Sequence, residues 1–155
     1  MIHIRKALLS DLQPLAKLFD AYRVFYRKTS DYQGAMDFLE QRLLQKDAVI
    51  FIAEEDKKTL GFTQLYPLYS STNMRRLWLL NDLFVAPLAR QKGVGKALLH
   101  KAQEHCIATD AQGLSLETEK TNAPGNALYP QMGFVRDQEH HFYFWENPTL
   151  ASNES

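Results

Sequence analysis

The chain has a single cysteine, no long hydrophobic run and no excess of charge of either sign. Cys106 has no second cysteine to pair with, so no disulfide can form within the chain. The longest apolar run, residues 48–53, is far shorter than the roughly 20 residues of a membrane-spanning helix. Eighteen basic residues balance eighteen acidic ones, which argues against nucleic acid or an anionic membrane as a partner. Because the sequence after Met1 also lacks a signal-peptide pattern, we expect a cytoplasmic protein.

The sequence lacks repeats, linkers and metal-ligand spacing. His100 and His105 are five residues apart, whereas a ligand pair on a helix needs three or four, and His140 and His141 alternate along a strand. No metal site is therefore predicted. The length of 155 residues and the apolar content of 45% suit one packed core. We expect a single domain over residues 1–147 and a frayed polar tail over residues 148–155.

Hydrophobic periodicity predicts a mixed α/β fold. A capping box formed by Ser10 and Gln13 opens the first helix, which runs to about Tyr26. The other predicted helices are residues 31–45, residues 93–108 and a short helix after residue 122. The predicted strands are residues 3–6, 49–54, 59–68, 76–85, 114–118 and 141–145. Residues 49–85 should form an antiparallel meander, and residues 114–118 should pair parallel to residues 76–85 because a crossover helix separates them.

A glycine-containing turn between a predicted strand and a predicted helix is the most informative stretch. The first amides of a helix have no partners within the helix, and they carry the positive end of its dipole. Gly93 and Gly95 have no Cβ, so these amides can approach a phosphate closely. Arg90, Lys92 and Lys96 add positive charge around them. The pattern predicts a pyrophosphate site.

Two common phosphate-binding loops do not fit this turn. A Walker loop ending at Lys96 would need glycine in place of Arg90 and a serine or threonine in place of Ala97. A dinucleotide fingerprint starting at Gly93 would need a glycine in place of Leu98. ATP hydrolysis and binding of NAD or FAD are therefore disfavoured.

The turn instead resembles motif A of the GCN5-related N-acetyltransferases (GNAT). In that motif a V-x-P strand end precedes an Arg/Gln-x-x-Gly-x-Gly/Ala loop, and here Val85, Pro87, Arg90, Gly93 and Gly95 match it. The resemblance implies a GNAT-like fold, in which antiparallel N-terminal strands are followed by a βαβ unit and helices flank a central mixed sheet.

A second stretch resembles motif B of the same family. Asn122 is followed seven residues later by Tyr129 and then by a Gly-Phe pair at residues 133–134. Asn122 is also suited to cap the helix that follows it. Two residues depart from the family pattern: Gly125 stands where alanine is usual, and Pro130 follows the tyrosine directly. Since proline lacks the N–H of a helical residue, we expect this helix to be short, frayed or kinked at Tyr129.

The resemblance implies transfer of an acetyl group from acetyl-coenzyme A to a primary amine, directly in a ternary complex. Backbone groups of residues 83–85 would pair with the pantetheine arm and polarise the thioester carbonyl. The residues implied in cofactor binding are Leu83, Phe84, Val85, Arg90, Gln91, Lys92, Gly93, Val94, Gly95, Lys96, Asn122 and Tyr129.

Three side chains are candidates for proton transfer. By resemblance, Tyr129 protonates the departing sulfur of coenzyme A. An alkylamine is almost wholly protonated at neutral pH and must lose a proton before it attacks. Asp82 and Glu117 are equal candidates for accepting that proton, because they lie on the two strands expected to diverge at the cofactor.

The first helix and the C-terminal residues would line the acceptor side. Tyr22, Phe25 and Tyr26 give that side an aromatic character, which suits a cationic amine such as a polyamine, an amino acid or a lysine side chain. The alternative is a sensor or regulatory domain that binds acetyl-coenzyme A without catalysis. The aromatic residues near the C-terminus also suggest a homodimer in which the last strands pair.

Overall fold

In the computed structural model, which describes residues 1–150, a five-stranded sheet with strand order β1-β2-β3-β4-β5 carries helices on both faces. The strands are β1 (His3–Lys6), β2 (Val49–Glu55), β3 (Lys58–Ser70), β4 (Arg75–Val85) and β5 (Leu114–Ser115). The helices are α1 (Leu12–Phe25), α2 (Tyr32–Gln45), α3 (Val94–Ala108) and α4 (Ala123–Gln131). Strands β1 to β4 are antiparallel, and β5 is parallel to β4. The predicted mixed α/β class and strand directions are confirmed.

The core has two layers, one on each face of the sheet. In β2, Ile50 and Ile52 pack toward α1 and α2, whereas Phe51 and Ala53 pack toward α3. Successive residues of a strand point to opposite faces, so this continuous apolar run fills both layers at once. No helix in residues 1–150 is long and apolar enough to cross a membrane.

A β-bulge in β4 changes the face that its side chains point to. Leu65 pairs with Leu80 and Gln64 pairs with Asp82, so Asn81 is an extra residue on β4. Leu80 packs in the layer beside α3, whereas Phe84 packs in the layer beside α1. Without the bulge, even-numbered residues of β4 would all share one face. The bulge therefore turns Asp82 toward α1.

Strands β4 and β5 separate after a very short contact. Their only pairs in the described chain are Trp78 with Leu114 and Leu79 with Ser115. The predicted fifth strand, residues 114–118, is thus three residues shorter in the structure. Beyond these pairs, residues 80–85 of β4 have no partner strand on the side that faces β5; we call this unpaired edge the cleft.

The start of α1 differs from the prediction. Ser10 and Gln13 do not form a capping box, because residues Leu9–Asp11 form a 3₁₀ turn and Asp11 is the residue that precedes α1. The Asp11 carboxylate is held by Arg5 of β1 at 2.8 Å and accepts the Leu8 N–H at 2.7 Å. This ion pair to β1 fixes the turn. In α2, by contrast, Asp31 caps the helix through the Gly34 N–H, at the predicted position.

The predicted final strand, residues 141–145, is absent: these residues have no regular structure. No strand of the described chain lies beside them, and a strand forms only when its backbone groups are paired. Their aromatic side chains are exposed, with Phe142 at 84% and Trp145 at 79%. Within the predicted tail, Leu150 N–H donates to the carbonyl of Asn147, and residues 151–155 lie outside the described part. The domain limits stay a prediction.

Candidate functional site

The turn before α3 leaves the first amides of that helix open. Gly93 is the residue that precedes α3, its φ is 81°, and no side chain caps the helix. Gln91 also has a positive φ, of 64°. The first helical hydrogen bond runs from Ala97 N–H to the Gly93 carbonyl at 3.0 Å, so the amides of residues 94–96 have no partner within the helix. The residues present fit a bound pyrophosphate.

The two glycines of the turn have different roles. Gly93 has the left-handed backbone conformation that other residues adopt only at an energetic cost. Gly95 has an ordinary helical conformation, and a Cβ there would meet Leu128 at 3.7 Å and Val85 at 3.8 Å, which are normal contacts. Gly93 is therefore required by the backbone of the turn, whereas Gly95 has room for an alanine.

The charged side chains near the turn point in different directions. Arg90 Nε donates to the Val85 carbonyl at 3.1 Å, and its guanidinium lies over the rings of Phe25 and Phe84 at 5.7 and 5.5 Å. Lys92 and Lys96 are exposed around the start of α3. Val94, by contrast, is buried in the core, so only its backbone is available to a ligand.

The cleft between β4 and β5 leads from this turn into the sheet. Leu83 and Val85 are half-buried against the α3 layer, and Phe84 is buried in the α1 layer. Because β5 does not pair with residues 83–85, an extended ligand can lie along that edge of β4. The family resemblance implies that these two strands diverge at the cofactor.

Helix α4 forms the wall of the cleft next to β5. Asn122 caps it as predicted, accepting the Gly125 N–H at 3.3 Å, and its Nδ2 donates to Thr118 Oγ1 at 2.9 Å. A Cβ on Gly125 would lie 2.5 Å from Asn122 Nδ2 and 3.1 Å from Cε2 of Tyr129. The glycine therefore leaves space both for the cap and for the tyrosine ring.

Pro130 does not prevent α4 from forming. The helix is short, as predicted, with nine residues, and it ends at Gln131, one residue after the proline. The Tyr129 carbonyl accepts the N–H groups of Met132 and Phe134. The Tyr129 ring also packs against the Phe134 ring, with centroids 5.8 Å apart. The Gly-Phe pair of motif B thus fixes the tyrosine.

Three tyrosines from two helices meet beside the bulge in β4. The rings of Tyr22 and Tyr26 lie 5.2 Å apart, and the Tyr22 hydroxyl donates to the Asn81 carbonyl at 3.4 Å. Burial raises the pKa of Tyr129, and nearby Tyr26 raises it further. The structure therefore brings Tyr22, Tyr26 and Tyr129 together, although they are distant in sequence.

Asp82 is a buried carboxylate beside Tyr22 and Tyr26. Its exposed fraction is 5%; Gln64 Nε2 donates to Oδ2 at 2.8 Å, and Asn81 Nδ2 donates to Oδ1 at 3.2 Å. Burial raises its pKa, and hydrogen bonds from Gln64, Tyr22 and Asn81 oppose that rise. No Lys, Arg or His within residues 1–150 forms an ion pair with it. A buried carboxylate without a counter-ion is an unusual and costly arrangement.

The other predicted residues of the acceptor side divide into two groups. Phe25 is 54% exposed, and its ring lies 5.2 Å from that of Tyr26, so it extends the aromatic surface outward. Glu117 is exposed, and no hydrogen bond or ion pair holds it within residues 1–150. The structure does not bring Glu117 to the tyrosine cluster. Within the same residues, no three metal-ligating side chains lie together.

Sequence reasoning missed two polar residues of the site. Gln64 is fully buried in β3 next to Asp82, but β3 also contains threonines, so its sequence does not single Gln64 out. Glu119 forms an ion pair with Arg27 at 2.7 Å, and it raises the pKa of Tyr26, after the larger effect of burial. Glu119 lies in a loop, and no pattern in the sequence there marks it as part of the site.

Comparisons with known proteins identify the family of this chain. A sequence profile of the acetyltransferase (GNAT) family matches residues 13–134. An uncharacterised N-acetyltransferase of Bacillus subtilis, YhfO, is 48% identical over 136 residues, which are 88% of this chain and 91% of that protein. A probable acetyltransferase of Haemophilus influenzae is 34% identical, over 69% of this chain and 74% of that protein.

A solved structure shows the same similarity in three dimensions. The crystal structure of a probable acetyltransferase superposes with a TM-score of 0.89 at 38% identity, covering 94% of this chain and 97% of that one. The profile match spans most of the chain, including both motifs at the cleft. The chain therefore belongs to the GNAT family of acetyltransferases and is an acyltransferase.

Proposed function

We propose that the protein transfers the acetyl group of acetyl-coenzyme A to a primary amine in a ternary complex. One observation carries the proposal: the buried carboxylate of Asp82 has no cationic partner and lies among aromatic rings beside the cleft. A cationic amine would supply the missing counter-ion, and ring faces such as that of Tyr22 attract ammonium groups. A neutral acceptor would leave the carboxylate uncompensated.

The open amides at the start of α3 support binding of coenzyme A. Backbone N–H groups of residues 94–96 would hold the pyrophosphate, with Lys92 and Lys96 adding positive charge. Residues 83–85, which β5 leaves unpaired, would hold the pantetheine arm and polarise the carbonyl. When bound, the cofactor supplies an acyl thioester.

The remaining steps are proton transfers by this chain's own side chains. Asp82 would accept the proton that the amine loses, since burial raises its pKa toward the range of a useful base. Glu117 is less suited, because it is exposed and is not among the charged groups that act on Tyr22, Tyr26 or Tyr129. On the opposite side, the Tyr129 hydroxyl would protonate the departing sulfur.

The experiment that tests this function is release of thiol from acetyl-coenzyme A by the purified protein. The acceptor panel contains polyamines, amino acids, aminoglycosides and lysine peptides, each with its matched alcohol as a neutral control. Release with an amine and none with the alcohol is expected. If calorimetry detects binding of acetyl-coenzyme A but no acceptor gives release, the amine assignment fails. If acetyl-coenzyme A does not bind, the cofactor assignment fails too.

Replacing Tyr129 with phenylalanine should slow turnover without weakening cofactor binding. The ring would still pack against Phe134, but the proton for the leaving thiolate would be lost, which costs about 100-fold in kcat. Tyr69→Phe is the control, because Tyr69 is exposed on the β3–β4 hairpin and contacts Arg76. Equal turnover in Tyr129→Phe and the wild type would exclude Tyr129 as the acid.

We further propose a homodimer formed through the exposed aromatic segment. Phe142, Phe144 and Trp145 are each at least 79% exposed, and such side chains can bury about 150–250 Å² each. For two copies the total reaches roughly 1,200 Å², the lower limit of a stable interface. Sedimentation should give a dimer that Phe144→Asp dissociates, whereas Ile107→Asp on exposed α3 should not. A monomeric wild type would contradict this.

A further inference from the structure

Gln64 is a buried polar side chain that hydrogen-bonds to the carboxylate of Asp82. It is fully buried, and its Nε2 donates to Asp82 Oδ2 at 2.8 Å across the β3–β4 pair. Its Oε1 is also buried and has no hydrogen-bond partner in the described chain. An unpaired buried carbonyl oxygen is costly, so packing alone does not explain a glutamine here.

We propose that Gln64 is a positioning residue that holds Asp82 as the proton acceptor of the reaction. The proposal rests on the function proposed above. A leucine or methionine would fill a similar volume on this face, where Phe62 is the neighbouring core residue, and would leave no unpaired oxygen. What the glutamine adds is an amide next to a carboxyl group that must exist in two protonation states.

An amide can hydrogen-bond to both states, because it has a donor and an acceptor. When Asp82 is ionised, Nε2 donates to Oδ2, as in the structure. When Asp82 has taken the proton from the amine nitrogen, a half-turn of the amide presents Oε1 to the new carboxyl O–H. The oxygen that is unpartnered in one state is thus the acceptor that the other state needs.

Other titratable groups near Asp82 are phenols rather than cations. Tyr22 and Tyr26 face it from α1, and Tyr66 faces it from its own strand pair. Burial, followed by the charge of Asp82, raises the pKa of Tyr66 to about 12. All three tyrosines therefore stay neutral wherever a carboxyl group titrates.

The remaining charges act on those phenols. Arg42 lowers the pKa of Tyr66, whereas Asp47 raises it. Arg27 lowers the pKa of Tyr26, whereas its ion-pair partner Glu119 raises it. Tyr129, a further neutral phenol, acts on Tyr22. A change in the titration of Asp82 on substitution of Gln64 can therefore be assigned to the loss of the amide itself.

The experiment measures the pKa of Asp82 directly, by carbon NMR of its carboxyl group in the protein without cofactor. Gln64→Met keeps the volume and removes the amide. The ionised carboxylate then loses a charge-assisted hydrogen bond, which is stronger than the neutral one lost by the protonated form, so the pKa should rise by about one unit. Gln64→Glu should raise it further, because two adjacent carboxylates do not ionise together. Gln103→Met is the control, since Gln103 donates to the Met132 carbonyl instead.

The same variants are then assayed for thiol release as a function of pH. The acidic limb of kcat/KM should move upward in the order wild type, Gln64→Met, Gln64→Glu, with cofactor affinity unchanged. An unchanged Asp82 pKa in Gln64→Met overturns the proposal. So does a shifted pKa with an unshifted pH profile.

These results are distinct from failure of the proposed function itself. That failure would appear as a wild-type protein without thiol release, whereas the NMR titration needs no activity. Thermal unfolding of each variant shows that it is folded. If Gln64→Glu does not fold, Gln64→Leu replaces it, with the same expected direction as Gln64→Met.

Discussion

Asp82→Asn should reduce turnover by about 100- to 10,000-fold, which is the usual contribution of a positioned base. The asparagine retains the size of the buried side chain and its contact with Gln64, but it cannot accept a proton. Affinity for acetyl-coenzyme A should be unchanged, because Asp82 lies on the α1 side of β4, away from the start of α3.

Glu117→Gln is the matched control for this substitution. It makes the same chemical change at an exposed residue in the segment that follows β5, and should leave kcat within about twofold of the wild type. A larger loss in Glu117→Gln than in Asp82→Asn would reverse the assignment of the two carboxylates. Isothermal titration with acetyl-coenzyme A separates loss of chemistry from loss of cofactor binding.

Asp82→Asn should also change how the stability of the protein depends on pH. Because burial raises the pKa of Asp82, the folded protein holds this proton to a higher pH than the unfolded chain does. The contribution of Asp82 to the free energy of unfolding therefore falls as pH rises from about 3.9, the unfolded value, to the folded pKa. Asp82→Asn removes this loss. Its Tm should be close to that of the wild type at pH 4 and higher at pH 7.

Gly93→Ala should weaken binding of acetyl-coenzyme A by about tenfold. A residue with a Cβ at a φ of 81° is strained by roughly 1–2 kcal/mol, and relief of that strain moves the amides that open α3. Each 1.4 kcal/mol corresponds to a factor of ten in Kd. Titration calorimetry of the two proteins with acetyl-coenzyme A gives the difference directly.

Two further glycines provide controls for this result. Gly113→Ala introduces a Cβ that meets nothing within 4 Å and has no positive φ, so binding should be unchanged. Gly95→Ala adds only ordinary contacts with Leu128 and Val85, and its effect should be small as well. If Gly95→Ala weakens binding more than Gly93→Ala does, close approach of the ligand, rather than the backbone conformation of the turn, sets the affinity.

Much of the fold was predictable because its signals are local. The alternation and apolar runs of β2, β3 and β4 predicted the meander within one or two residues of the observed ends. Asn122 was recognised as a helix cap, since a cap is formed by residues three apart in sequence. The second helix was predicted to begin at about residue 31, where Asp31 forms the cap in the structure. The Ser10 cap was wrong, because Arg5 of β1 holds Asp11 and fixes a 3₁₀ turn before α1.

The choice between Asp82 and Glu117 could not be made from the sequence. Counting alternate residues places Asp82 on the same face as Leu80, whereas the bulge at Asn81 turns it to the other face. A bulge depends on how two strands pair, which involves residues far apart along the chain. The isolation of Glu117 likewise depends on how early β5 ends.

The sequence by itself determined the family, the strand-turn-helix unit of the predicted pyrophosphate site and the identity of the aromatic residues near it. Each of these properties depends on a short stretch of sequence, in which backbone conformation and residue type act over a few positions. Only the tertiary structure decided that Tyr22 and Tyr26 lie beside a buried Asp82, that Tyr129 lies near these two tyrosines, and that Gln64 donates to the carboxylate. Burial and the absence of a counter-ion are properties of an environment assembled from distant segments, so no stretch of the sequence contains them.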